Sequence, residues 1–157
     1  GSYTGLRIGV SAAKGLCFSL DVPLISTPTL QNMARQVDLH PDELVIPVLD
    51  ARRMEVYSCV YDHRYQEVRE TRAEIIDEAS FADYVGENKV YIVGSGAEKC
   101  RGVLQHPNFI FNPDVVPSAK EMATIAFEKF KSQQFEDVAY FEPYYLKDFV
   151  LQQKKKG

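Results

Sequence analysis

The sequence lacks several features that would point to a familiar class of protein. It has no run of 18 apolar residues, which excludes a membrane-spanning helix of the usual kind. It has no excess of basic residues: Lys and Arg total 18 against 22 Asp and Glu, for a formal net charge of −4. Because a direct, non-specific grip on a nucleic-acid backbone needs a basic surface, we expect no such binding.

Cysteine and histidine are scarce as well. The three cysteines (Cys17, Cys59 and Cys100) are odd in number and far apart, which excludes a disulfide framework or a zinc site and fits buried thiols in a reducing cytoplasm. Each of the three histidines stands alone, without a second histidine four positions along a helix. We therefore expect no metal site.

The most informative pattern in the sequence lies at its start. The segment Gly1-Ser-Tyr-Thr-Gly-Leu-Arg-Ile-Gly9 leads into residues 10–20, which carry one charge, Lys14. Ser2 and Thr4 can cap a helix. One row of the predicted helix holds Leu6, Gly9, Ala13, Leu16 and Leu20, and a second row of mostly small residues holds Ile8, Ala12, Gly15 and Ser19. This pattern predicts a helix that is covered on both sides, by its own sheet and by a second protein.

The rest of the chain alternates between strand and helix signals. At 157 residues, 45% of them hydrophobic, the chain can form one compact domain or two small ones. Strands are predicted at residues 23–26, 44–49, 55–61, 67–71, 89–93 and 109–111, and helices at 28–37, 78–85, 97–104 and 118–131. The three strands from 44 to 71 predict an antiparallel meander. The order of elements predicts an α/β chain with mixed sheets.

Two polar segments are candidates for chemistry. Gly94-Ser-Gly96 lies between a predicted strand and a predicted helix, and could cradle a phosphate on backbone amides or simply form a tight turn. Asp50, Arg52, Arg53 and Glu55 crowd a predicted hairpin turn. The turn could hold an anion, form a polar interface, or be a solvated turn in which Asp50 bonds its own backbone.

Nucleophilic catalysis has no support in the sequence. There is no Gly-x-Ser-x-Gly elbow, and Cys17 lies in an apolar helix with no base nearby, which favours an inert buried thiol. We therefore expect no catalytic residue and no cofactor, which leaves binding as the main function.

Five segments, taken in order, resemble the TsaB (YeaZ) family. They are Gly1-Ser-Tyr-Thr-Gly-Leu-Arg-Ile-Gly9, the small-residue helix through Gly15, Ser26-Thr-Pro-Thr-Leu30, Asp50-Ala-Arg-Arg-Met-Glu-Val-Tyr57 and Glu142-Pro-Tyr-Tyr-Leu-Lys-Asp148. The family belongs to the actin/sugar-kinase/Hsp70-like superfamily (ASKHA, ribonuclease H-like), so the resemblance implies an α/β fold of two lobes.

The resemblance also implies an arrangement of those lobes. Residues 1–40 would be the remainder of the N-terminal lobe, with the dimerisation helices, and the C-terminal segment could rejoin it. Residues 41–157 would form the second lobe. Strands would precede the Gly-Ser-Tyr-Thr motif, so nucleotide binding cannot be judged from this sequence.

The function implied by the resemblance is that of a non-catalytic, cytoplasmic bacterial subunit needed to form N6-threonylcarbamoyladenosine in tRNAs that read ANN codons. The implied partners are the catalytic paralogue TsaD and the ATPase TsaE, with a homodimer in isolation and tRNA reached only indirectly. The catalytic paralogue has a helical His-x-x-x-His metal pair, which this chain lacks.

The family's subunits meet through the first helices of the N-terminal lobe. The residues implied at this interface are Thr4, Leu6, Arg7, Gly9, Val10, Ala12, Ala13, Gly15, Leu16, Leu20, Leu30, Met33 and Ala34. Two alternatives stay open: an ATPase or sugar-kinase-like enzyme whose phosphate loops lie partly in a preceding segment, and, ranked last, a metallopeptidase.

Overall fold

A five-stranded mixed sheet organises the part of the chain that the computed structural model describes, residues 3–146. Ser2 as a helix cap, the last two residues of the 142–148 motif and the lysines at 154–156 lie outside this range. The elements are α1 (Tyr3–Leu20), α2 (Thr29–Ala34), β1 (Leu44–Asp50), β2 (Glu55–Tyr61), β3 (Glu67–Ile75), a short 3₁₀ helix (Ala82–Tyr84), β4 (Val90–Val93), α3 (Ala97–Arg101), β5 (Phe109–Asn112) and α4 (Ala119–Lys131).

The strand order is β3-β2-β1-β4-β5. The first three strands form the antiparallel meander, with Val48 of β1 opposite Ser58 of β2. On its other edge, β1 pairs with β4 in parallel, and β4 pairs with β5 in parallel. The predicted α/β class, the meander and the mixed sheet are therefore confirmed.

Both faces of the sheet are covered, which explains why β1 and β4 are apolar along most of their length. On one face, Ile46, Val48 and Ile92 pack with Ala97 and other apolar residues that include Val56, Val60, Phe81, Cys100 and Leu104. On the other face, α2 packs against Val45, Cys59, Tyr61 and Val93.

Two elements that the sequence predicts are not formed among the described residues. Residues 78–85 do not form an α-helix, because Asp77 and Ser80 bond each other and nearby backbone groups in a turn. Phe81 then adopts a left-handed φ of 62° as its side chain enters the core. The predicted strand at 23–26 is reduced to a single antiparallel bridge between Leu24 and Glu136.

Helix α1 lies apart from the sheet. It is 18 residues long, about 27 Å, and none of its residues is buried. Several of its apolar side chains are largely exposed, among them Ile8 at 65%, Leu16 at 62% and Phe18 at 83%. The helix was predicted to be covered by its own sheet on one side, and no strand of residues 3–146 provides that cover.

Candidate functional site

The residues predicted for the interface divide into two groups in the structure. On α1 they lie at the surface: Thr4, Leu6, Arg7, Gly9, Ala12, Gly15, Leu16 and Leu20 are exposed, and Val10 and Ala13 are half-buried. Among residues 3–146, many apolar and small side chains of the helix are therefore exposed, together with Thr4 and Arg7.

The three predicted interface residues of α2 are placed differently. Leu30, Met33 and Ala34 are buried in the core, where they contact β1, β2 and β4. Because buried side chains cannot touch a partner unless the core opens, the candidate surface is restricted to α1. The apolar stripe of α2 is satisfied by the chain's own sheet.

Two glycines on α1 have no explanation in internal packing. A Cβ added at Gly9 or Gly15 would meet no atom within 4 Å. Glycine inside a helix costs about 0.5–1 kcal/mol relative to alanine, because it loses more backbone freedom on folding. Among residues 3–146, no neighbouring atom requires a glycine at either position.

Helix α1 contacts a late segment of the described chain. The ammonium group of Lys14 donates to the carbonyl oxygens of Ala139 and Phe141, at 3.1 and 2.9 Å. The ring of Tyr3 lies against that of Tyr145, with 4.9 Å between the centroids. A groove of about 600 Å³ runs between α1 and this segment and includes Phe18.

The charged turn between β1 and β2 is built from the chain's own contacts. The Asp50 carboxylate accepts hydrogen bonds from the Arg52 backbone N–H and from Lys99 Nζ, both at 2.7 Å. These bonds, that from Lys99 first, lower the pKa of Asp50 from its ordinary value of 3.8. Lys99 also donates to the carbonyl oxygens of Arg53 and Glu55 at 2.8 and 2.7 Å. The interpretation in which Asp50 bonds its own backbone is confirmed, and Lys99 is the residue that the sequence did not point to.

The Gly94-Ser-Gly96 segment is a tight turn whose polar groups bond within the chain. The Gly94 N–H donates to the Asn112 carbonyl at 2.9 Å, and the Gly96 N–H donates to the Val48 carbonyl at 3.1 Å. Gly94 has a φ of +110°, and an added Cβ would lie 2.3 Å from Met33 Cε. The glycines are therefore required by backbone geometry and close packing, which confirms the tight-turn interpretation, and these two amides are not free to hold a phosphate.

The thiols differ in their surroundings. Burial raises the pKa of Cys59, and it raises the pKa of Cys100 to about 12, so both are poor nucleophiles at neutral pH. Cys17 was expected to be buried but is only half-buried, with its Sγ 3.7 Å from the Pro23 carbonyl oxygen. Within residues 3–146, no three His, Cys, Asp or Glu side chains come together in a group that could hold a metal ion. Over the same range, no helix has both the length and the apolar character needed to cross a membrane.

Comparison with known proteins places this geometry in a family. The family model described as TsaD, tRNA N6-adenosine threonylcarbamoyltransferase, matches residues 1–153. The chain is 30% identical over 167 aligned residues to the tRNA threonylcarbamoyladenosine biosynthesis protein TsaB of Escherichia coli, with the match covering all of this chain and 71% of the relative. It is 45% identical over 64 residues to TsaB of Bacillus subtilis, with 41% of this chain and 28% of the relative covered.

The same likeness is seen in three dimensions. The structure of YeaZ from Pseudomonas aeruginosa superposes with a TM-score of 0.74 at 21% sequence identity, covering 93% of this chain and 70% of that one. The matched segments thus span from about a quarter to 71% of the length of the curated relatives. With the mixed sheet and the sequence matches taken together, the chain belongs to the TsaB (YeaZ) family and has its actin/sugar-kinase/Hsp70-like α/β fold.

Proposed function

We propose that this chain is a non-catalytic subunit of the machinery that forms N6-threonylcarbamoyladenosine in ANN-decoding tRNAs, and that it acts by binding a TsaD paralogue through α1. The observation that carries the proposal is the state of α1: an 18-residue helix with no buried residue and with exposed apolar side chains. A contiguous apolar surface of this kind on a folded protein typically marks an interaction site.

The surface of α1 suits packing against a second helix. Gly9, Ala12 and Gly15 carry little or no side chain, so a partner backbone can approach closely there. Leu6 and Leu16 supply apolar area beside the small residues. Truncating or blocking a central anchor in such an interface commonly costs about 2 kcal/mol or more of binding free energy.

The relatives and the family model support the identity of the partner. Their printed names connect them to threonylcarbamoyladenosine biosynthesis and to the threonylcarbamoyltransferase TsaD, respectively. We extend this to a heterodimer with TsaD, to TsaE as a third component and to a homodimer through the same helix when the chain is alone. In this proposal tRNA is reached only through the complex, and the whole assembly works in the cytoplasm.

A non-catalytic role is supported by the hydrogen bonds of the two polar segments that were candidates for chemistry, because their groups bond within the chain. Lys99 and Asp50 bond each other and the adjoining backbone, which holds the β1–β2 turn in shape. The amides of Gly94 and Gly96 bond carbonyl oxygens of neighbouring strands. These groups stabilise the fold of the chain itself, whereas the exposed helix α1 is available to contact another protein.

The test measures binding to the TsaD paralogue from the same organism by titration calorimetry. We expect Ala13→Glu and Gly9→Arg to weaken binding by at least about 30-fold, because each places a long or charged side chain where a helix must approach. The matched control is Ala123→Glu, which adds the same charge at an exposed alanine of α4. Wild-type affinity in both α1 variants would refute the proposal.

A cellular assay supplies the functional arm of the test. In cells that depend on this protein for the modification, the α1 variants should lose threonylcarbamoyladenosine in ANN-decoding tRNAs, whereas Ala123→Glu should retain it. ATP binding and turnover by the protein alone would instead favour the ATPase or sugar-kinase alternative.

A further inference from the structure

The contacts between α1 and the C-terminal part of the described chain have a regular geometry. Tyr3 and Lys14 are 11 residues apart, which is about three helical turns and about 16 Å, so both point to the same side of α1. Tyr3 meets Tyr145, and Lys14 meets the carbonyls of Ala139 and Phe141. The later segment therefore runs along α1 in the opposite direction and contacts it in its first turn, at Tyr3, and about two-thirds of the way along, at Lys14.

Hydrogen bonds within this segment set its conformation. The carboxylate of Asp137 accepts hydrogen bonds from the N–H groups of Ala139 and Tyr140, at 2.8 and 3.0 Å. The Phe141 N–H donates to the Asp137 carbonyl at 2.8 Å, which closes the turn. These bonds fix the two carbonyl oxygens that Lys14 uses.

The segment is also tied to the body of the molecule. The Glu136 N–H donates to the Leu24 carbonyl at 2.8 Å, and the Ser26 hydroxyl bonds the Glu136 carboxylate. Lys129 of α4 donates to the Ser26 carbonyl at 2.8 Å. A chain of hydrogen bonds thus runs from α4 through residues 26 and 136 to the segment that meets α1.

We propose that residues 137–145 form a brace that sets the orientation of α1 for docking, and that Lys14 is its positioning residue. Lys14 is the one charged residue of the 10–20 segment, and its ammonium group satisfies two carbonyls that belong to the brace and not to α1. Hydrogen bonds from a charged donor are stronger than those between neutral groups, so this pair of bonds is the main polar link between the two segments. The brace contacts the side of α1 that carries Tyr3 and Lys14, and among residues 3–146 the side chains of Ile8 and Leu16 stay largely exposed.

The inference rests on the proposed docking role of α1, and its primary test does not need the partner. In the free protein, Lys14→Met keeps most of the apolar stem but removes the donors. We expect hydrogen exchange of the α1 amides to rise by at least about fivefold, because local opening becomes easier, while exchange in β1 and β4 stays unchanged. Lys14→Arg retains N–H donors and should restore most of the protection. Lys120→Met, at an exposed lysine of α4, is the control and should change nothing in α1.

Affinity for the TsaD paralogue gives the second readout. Lys14→Met should weaken binding by about tenfold, and Lys14→Arg should recover most of it, because a helix that samples other orientations binds with only the competent fraction of its population. Unchanged α1 exchange in Lys14→Met overturns the brace. Increased exchange with unchanged affinity also overturns it, since orientation would then not matter for docking.

The experiments distinguish a failure of docking through α1 from a failure of the brace. If Ala13→Glu and Gly9→Arg both bind as well as wild type, docking through α1 is wrong whatever Lys14 does. If Ala13→Glu abolishes binding and Lys14→Met changes neither exchange nor affinity, docking through α1 stands and the brace is wrong.

Discussion

The side-chain amide of Asn32 forms two hydrogen bonds with the backbone of Ser118. Its Nδ2 donates to the Ser118 carbonyl at 2.6 Å, and its Oδ1 accepts from the Ser118 N–H at 2.8 Å. Ser118 in turn is the N-cap of α4, and its hydroxyl accepts from the Lys120 N–H at 3.2 Å. One buried side chain of α2 therefore fixes the point at which α4 begins.

We predict that Asn32→Ala lowers the free energy of unfolding by about 2–3 kcal/mol, because it removes two hydrogen bonds and leaves the half-buried Ser118 N–H without its acceptor. Urea denaturation measures the change. The control is Gln36→Ala, which removes the Nε2 hydrogen bonds to the Val116 carbonyl at 2.7 Å and to the Asn32 carbonyl at 3.4 Å. The first is solvent-exposed and the second is long, so we expect a cost of less than about 1 kcal/mol. Equal effects of the two substitutions would contradict the prediction.

Gly94 should be intolerant of any side chain. Its φ of +110° disfavours other residues, and a Cβ would lie 2.3 Å from Met33 Cε and 2.6 Å from the Val48 carbonyl oxygen. We expect Gly94→Ala to destabilise the protein by about 2–4 kcal/mol, measured by thermal or urea unfolding. Gly86→Ala, where an added Cβ meets nothing within 4 Å, should stay within about 0.5 kcal/mol of wild type.

Arg69 neutralises a half-buried carboxylate on the meander. Its guanidinium lies 2.5 Å from Glu74 Oε1, with the two side chains only 10% and 23% exposed, and it stacks 5.3 Å from the centroid of Phe81. Arg69→Met should cost about 2–4 kcal/mol, because Glu74 loses its cation in a poorly solvated site. Adding Glu74→Gln should recover part of that loss, and a double-mutant cycle with no coupling would count against the pair.

The exposed pair of Arg72 and Glu70 is a natural comparison for Arg69. Their side chains are 54% and 74% exposed, and the nitrogen–oxygen distance is 3.2 Å. Because solvent screens such pairs, Arg72→Met should change the free energy of unfolding by less than about 1 kcal/mol.

Asp50 should contribute stability that depends on pH. Lys99 and the Arg52 N–H lower the pKa of Asp50 in the folded state below its ordinary value of 3.8, so the unfolded state binds a proton more readily. The contribution is complete above the ordinary pKa and is lost as the pH falls through the lowered value. The Asp50 side chain is 52% exposed, so we expect less than about 1 kcal/mol in total.

The measurement compares wild type with Asp50→Asn by urea unfolding across a pH series. The difference in unfolding free energy should be constant from about pH 5 to 7 and should shrink below about pH 4. A difference that grows in acid would show that the carboxylate is not stabilised in the folded state.

Strands were the elements best predicted from the sequence. The prediction of 55–61 matches β2 (Glu55–Tyr61), and 44–49 falls one residue short of β1 (Leu44–Asp50). β1 is an apolar run and β2 has alternating side chains, and the charged turn between them is closed by local hydrogen bonds such as that from the Arg52 N–H to Asp50. The information that sets these elements therefore lies within a few residues of each one.

The features that the sequence did not predict depend instead on contacts between distant residues. The row formed by Leu30, Met33 and Ala34 is apolar in the sequence, but periodicity does not say whether a sheet or a partner covers it. Lys99 reaches Asp50 across 49 positions, and no local pattern announces that contact. Phe81 leaves helical geometry because its side chain is buried by residues distant in the chain.

The contact of Lys14 with Ala139 and Phe141 spans 125 and 127 positions, which has a consequence for synthesis. At typical translation rates, α1 leaves the ribosome on the order of ten seconds before the segment that would brace it. During that interval the apolar side chains of α1 are exposed without the brace, and a chaperone or an early partner can bind them. A partner that selects the braced orientation would thus distinguish a chain in which residues 137–145 have been made from one in which they have not.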